Sequence, residues 1–188
     1  MAADASSGPR TPSDFERPSS SLSGRLTLRM MNVGHSRLHR WGLEAAGIGH
    51  SSRVLDVGCG GGAAVRRILR LTRAEVGAVD HSPAAVESTR RLNAAAAASG
   101  RLRVVEGSVE ALPFRSGYFD VVTAFETVYF WPDLVAGLRE TARVLAPGGR
   151  LVVADECADR QAAGAWADRL AMNVPDGDEL VSSCRAAG

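Results

Sequence analysis

The chain has 188 residues, 45% hydrophobic and 23% charged, which suits one globular domain with a core of its own. A net charge of +1 gives no reason to expect a nucleic acid or an acidic membrane surface as partner, and no apolar run is long enough to span a bilayer. All 22 basic residues are arginine, which excludes a Schiff-base or P-loop lysine, and three scattered cysteines (Cys59, Cys157, Cys184) argue against a disulfide framework or a zinc site.

Residues 1–24 are rich in Ser, Pro, Ala and Arg and read as a disordered tail. With Asp4 and no apolar core, this beginning is not a secretory signal, and the cysteine usage fits a reducing, cytoplasmic setting. Structure is expected from about residue 25, with Met30 and Met31 as further candidates for where the structured protein begins. Ser36 is placed to cap a helix in which Leu38, Trp41 and Ala45 recur at helical spacing.

The stretch Val54-Leu55-Asp56-Val57-Gly58-Cys59-Gly60-Gly61-Gly62 organises the rest. An apolar strand ends in a glycine turn, and Ala63 to Leu69 continues as a helix, an arrangement that cradles a nucleotide. Asp56 is expected at the mouth of the strand, where a carboxylate repels a pyrophosphate and suits a cationic ligand. Gly58-x-Gly60-x-x-Ala63 also matches the looser dinucleotide fingerprint, so a nicotinamide cofactor stays open at this point.

Glu75 to Asp80 reads as a second strand, and Asp80 follows Gly60 by 20 residues, the spacing of a ribose-binding acid. Two acceptor oxygens facing two vicinal hydroxyls are what such a site needs. Ser82 and Pro83 start a helix that runs to Gly100, with Ser82 as cap. Arg101 to Glu106 is a third strand and Tyr118 to Glu126 a fourth. Ligands in such sheets lie beyond the carboxyl ends of the strands, so Glu126, Thr127, Tyr129, Phe130 and Trp131 should sit near the reacting centre. A helix from Leu134 to Leu145 stops at Pro147-Gly148-Gly149 before a fifth strand, Leu151 to Asp155. Gln161 to Met172 is a further helix. Asp176 and Glu179 form a capping box for a last one, Leu180 to Ala187, with Gly188 as its stop.

Four separated motifs together resemble the class I methyltransferases that use S-adenosylmethionine (SAM), of the type 11-like, small-molecule kind. They are the glycine turn with Asp56, Gly107 to Phe114 with its Leu112-Pro113-Phe114, the strand Phe119-Asp120-Val121-Val122, and Arg143-Val144-Leu145-Ala146-Pro147-Gly148-Gly149. The last of these, with Asp56 and Leu112-Pro113-Phe114, decides for SAM over NAD. Met31 to Leu43 is similar to an N-terminal stretch of one bacterial group of the family, which implies that Asn32, Gly34 and His35 line the site.

The resemblance implies cofactor contacts from Asp56, Gly58, Gly60, Gly62, Asp80, His81, Ser108, Val109 and Glu126. Ser108 stands where the family usually has the Asp that accepts from the adenine amino group, and a neutral acceptor is weaker. Glu126 and His35 are the candidates for a catalytic base, Tyr129 and Trp131 for contacts to a small-molecule acceptor, and no metal is expected. S-adenosylhomocysteine (SAH) would be the product.

The implied fold is a doubly wound, Rossmann-like α/β sandwich with a mostly parallel sheet in the order 3-2-1-4-5 and an N-terminal helical cap. Its divisions are a cap over 25–50, a SAM-binding core over 51–160 and C-terminal helices over 161–188. The family's sixth and seventh strands have no counterpart in this sequence. The fifth strand should then be an open edge that lowers stability or pairs two copies as a homodimer. The rival readings are a SAM-binding protein that is inactive or regulatory, and an NAD-linked oxidoreductase.

Overall fold

The computed structural model describes residues 16–19, 21–156, 160–170 and 172–188. Most of the expected tail, and Cys157, lie outside the described residues. In chain order the elements are α1 (Leu22–Gly34), α2 (Ser36–Ala46), β1 (Val54–Val57), α3 (Ala63–Leu71), β2 (Val76–Asp80), α4 (Pro83–Leu92), α5 (Ala94–Ala98) and β3 (Leu102–Glu106). After them come β4 (Phe119–Phe125), α6 (Leu134–Val144), β5 (Leu145–Ala154), α7 (Arg160–Leu170) and α8 (Gly177–Ala187). Single 3₁₀ turns at Val109–Ala111 and Val128–Phe130 precede and follow β4.

The five strands are all parallel, in the order β3-β2-β1-β4-β5. Both faces are covered, so the strands read as apolar runs. Along β1 the side chains alternate between two cores. Val54 joins Val65 and Ile68 of α3 and Leu43 of α2, whereas Leu55 and Val57 join Leu138 and Val144 of α6. Asp56 falls on the Val54 face by the same period of two.

Several local expectations shift. Helix starts at Leu22, three residues before the expected cap at 25, because the Gly24 N–H donates to Ser21 Oγ (3.2 Å) and Leu28 is buried at 2% exposure. Ser36 is not the cap of α2. It is the first helical residue after His35, and its Oγ accepts from Arg67 Nη2 of α3 at 2.8 Å. Ser82 does cap α4, with Pro83 at its first position, and the Asp176–Glu179 capping box forms with both of its bonds.

The helix from Pro83 breaks at Asn93, whose Nδ2 turns to the Thr89 and Gly62 carbonyls (2.9 and 3.2 Å). The fifth strand begins early: Leu145 pairs with Phe119, Pro147-Gly148-Gly149 loops out, and pairing resumes at Arg150 with Val121. β5 is the edge of the sheet and pairs with β4 alone among the described residues.

Candidate active site

A cavity of about 270 Å³ opens at the carboxyl ends of β1, β2 and β4. Gly58 and Gly60 line one wall, Asp80 and His81 a second, Ser108 and Val109 a third, and Glu126 and Trp131 the fourth. Eight of the expected cofactor and acceptor contacts, drawn from 74 positions of sequence, therefore meet in one space. Phe125, Thr127, Phe130 and Pro132 complete the end near Glu126. Glu16, Arg17 and Pro18 also line it, and Ser82 Oγ donates to the Pro18 carbonyl at 2.6 Å. No sequence signal pointed to residues 16–18, because that contact depends on how the chain returns over β2.

The glycine turn is held by side chains at each carbonyl in succession. Gly60 O accepts from Thr89 Oγ1 (2.9 Å), Gly61 O from Asn32 Nδ2 (3.1 Å), and Gly62 O from Asn93 Nδ2 (3.2 Å). Gly58 and Gly62 have φ of 73° and 85°, which glycine adopts without strain. At Gly58 an added Cβ would collide with the Thr127 side chain. Gly62 lines neither this cavity nor the smaller one beneath the turn, and heads α3.

Asp80 Oδ2 accepts from the Gly60 N–H and Oδ1 from the Ser82 N–H, both at 2.9 Å. It is therefore a brace of the turn as well as a wall of the cavity. One lone pair on each oxygen remains for a vicinal diol. Burial pushes its carboxyl up, and the two N–H bonds with His81 and Arg17 oppose this.

Ser108 caps the turn at Val109 by accepting from the Glu110 N–H (3.2 Å), which leaves its hydroxyl one further acceptor lone pair. The loop behind it is tied down by α6. Glu140 accepts from the Leu112 N–H at 2.8 Å, and Arg143 donates to the Leu112 and Phe114 carbonyls, each at 2.9 Å. Two of the motifs read in the sequence are thus bonded to each other.

Asp56 lies elsewhere than at the mouth of a strand. It is 2% exposed, and its Oδ1 accepts from Thr123 Oγ1 at 2.6 Å. Burial first, and the charge of Asp80 after it, push its carboxyl up to about 7. It borders a second, water-sized cavity of about 30 Å³ beneath the turn, with Asn32, His35 and His39. His39 is buried with its Nδ1 unpartnered. Burial, then Arg67 and His35, lower it to about 4, so it is neutral near pH 7.

Glu126 is the residue shared by both cavities that carries a charge near the glycine turn. It has φ 54°, a left-handed conformation that a non-glycine residue holds only when its surroundings impose it. Tyr129 Oη donates to its Oε2 at 2.7 Å, and the Glu156 N–H donates to its Oε1. Tyr129 is accordingly behind Glu126 and does not line the cavity, because its ring packs with Ala163, Ala167, Met172 and Val174. His35 lines the smaller cavity only, 3.9 Å from Glu156. Asp155, beside Glu126 at the end of β5, is pushed up to about 7 by burial and by the Glu126 charge.

A parallel sheet in this order, with a glycine turn and a strand-end acid around one cavity, defines a nucleotide-type cofactor-binding α/β protein. Residues 55–153 match the family described as a methyltransferase domain, and the chain belongs to that family. The malonyl-[acyl-carrier protein] O-methyltransferase of Halorhodospira halophila is 38% identical over 122 residues, 63% of this chain and 40% of that protein. Cycloartenol-C-24-methyltransferase 1 of rice (Oryza sativa subsp. japonica) is 33% identical over 59% of this chain and 32% of its own length. The chain thus spans less than half of these curated relatives. A chain of the solved complex between the Haloferax volcanii Trm112 methyltransferase activator and a protein described as a methyltransferase superposes with a TM-score of 0.82 at 22% identity, over 95% of this chain and 77% of that one, a likeness of fold. Among the described residues no helix is long and apolar enough to cross a membrane, and no cluster suits a metal ion.

Proposed function

We propose that this chain is a SAM-dependent methyltransferase acting on a small-molecule acceptor. The observation that carries the reading is the convergence, in one cavity, of the braced glycine turn, Asp80, Ser108 and Glu126. These residues fit the cofactor by their chemistry. Asp80 suits the ribose hydroxyls, Ser108 Oγ and the Val109 N–H suit adenine, and the glycine turn leaves room for the amino-acid end. When bound, SAM supplies a methyl group on a sulfonium, which is already a good leaving group. The protein's share is to align the acceptor and exclude water.

Phe125, Phe130, Trp131 and Pro132 give the end near Glu126 an apolar wall, which supports an acceptor with an apolar face. The two curated relatives are named for cycloartenol and for malonyl-[acyl-carrier protein], so the shared region does not set the acceptor. Glu126 is an anion held at both oxygens and still has lone pairs for a proton or a cation. It is our first candidate for a general base, and His35 is the second, where the acceptor needs one.

The test is calorimetric titration with SAM, SAH and NAD. Micromolar binding of SAM and SAH without heat from NAD is expected. Binding of NAD alone, or of none of the three, overturns the reading.

A further inference from the structure

The glycine turn has a partner that its own sequence does not announce. Gly62 stands at the N-cap of α3 and has no side chain with which to cap it. Asn32, the antepenultimate residue of α1, does this from outside. Its Oδ1 accepts from the Ala63 N–H and its Nδ2 donates to the Gly61 carbonyl, both at 3.1 Å. One planar amide therefore closes on both sides of Gly62 and satisfies an N–H that the helix start leaves open.

A separate observation points to the same contact. Gly61 is absent from the glycines with positive φ, so backbone conformation does not call for glycine there. What calls for it is space: a Cβ at Gly61 would lie 2.5 Å from both the oxygen and the nitrogen of the Asn32 amide. Residues 32 and 61 are fitted to each other across 29 positions of sequence. Asn32 also borders the cavity under the turn, with His35 and Asp56.

We infer that Asn32 is a positioning residue for the cofactor: it couples the docking of α1 to the shape of the turn that receives SAM. This rests on the cofactor reading above. When Asn32 is seated, Gly60 to Ala63 is held in one conformation, and the cofactor does not have to order it on binding. When α1 undocks, the turn loses two of its tethers together. Thr89 of α4 and Asn93 at its C-cap remain on the other side, so the fold survives while the site loosens.

Asn32→Asp separates this role from simple helix capping. A carboxylate still accepts from the Ala63 N–H and complements the positive end of α3, so a capping role alone predicts unchanged or higher thermal stability and unchanged affinity. The carboxylate has no donor for the Gly61 carbonyl and repels it. The inference therefore expects Asn32→Asp to hold its melting temperature while its Kd for SAH rises at least tenfold. Asn32→Ala should weaken SAH by a similar factor. Gly61→Ala should do the same by displacing the amide, and the Asn32→Ala/Gly61→Ala pair should be no worse than either alone.

The measurements are SAH titration calorimetry and thermal melts on the full chain and these variants. Wild-type chain that binds no SAH refutes the cofactor reading itself. Wild-type chain that binds SAH, with Asn32→Asp binding it equally well, refutes the role of Asn32. Additive losses in the double variant refute the fitted pair.

Discussion

Asp56→Asn tests the electrostatics of the site most directly. The Asp56 carboxyl is buried, has one hydrogen bond to Thr123, and is pushed from 3.8 up to about 7. The folded state therefore keeps this proton over a range of pH in which the unfolded chain has lost it. Because the folded-state value is raised, the stabilising contribution is complete below about pH 4 and is lost as pH rises through 7. Three units at about 1.4 kcal/mol each come to about 4 kcal/mol across that window.

Asparagine keeps the acceptor for the Thr123 hydroxyl and removes the titration. Its buried amide N–H₂ costs about 1–3 kcal/mol at every pH. Denaturant unfolding from pH 4 to pH 8 is the assay. The variant should be less stable than wild type at pH 4 and should gain on it by about 1.4 kcal/mol per pH unit between pH 4.5 and 6.5. Parallel stability curves would refute the reasoning and return Asp56 to the role of a permanent anion. In that role its loss would also cut SAM affinity at pH 6, whereas a protonated Asp56 predicts a change of less than about threefold, or about 0.6 kcal/mol.

Glu126→Gln should keep SAM binding within a few-fold and lower turnover by about 10²-fold or more if Glu126 takes a proton, as single-turnover kinetics with an accepted substrate would read. An unchanged rate removes it as the base. Gly58→Ala places a Cβ against Thr127 at a φ of 73° and should abolish SAM binding by calorimetry. Ser108→Asp keeps the cap on Glu110 and offers adenine a charged acceptor, so the Kd for SAM should fall by about tenfold, or about 1.4 kcal/mol. A weaker or equal Kd would mean that adenine does not reach residue 108.

Much of the fold was legible because it rests on short-range regularities. The apolar run of Val54 to Val57, the Ser82-Pro83 cap, the Asp176–Glu179 box and the 20-residue step from Gly60 to Asp80 each act within one element or one βαβ unit. The parallel order followed from the resemblance and is the order observed. The motif that ends in Pro147-Gly148-Gly149 also proved informative, and the structure adds why Arg143 is part of it: its guanidinium holds the Leu112 and Phe114 carbonyls.

Sequence alone thus determined which strands form, where the glycine turn falls and which acid follows it, since those depend on neighbours along the chain. Tertiary structure alone decided what faces what. Asp56 is turned inward because the pleat assigns it to the α2–α3 face, where Thr123 of the adjoining strand is its partner. Tyr129 stands behind Glu126 because its ring fills the core under α7. Asn32 reaches the glycine turn, and residues 16–18 the cavity wall, through contacts between segments far apart in sequence. The side-chain pattern of each segment does not encode the distance to another, so those contacts exist only once the chain has packed.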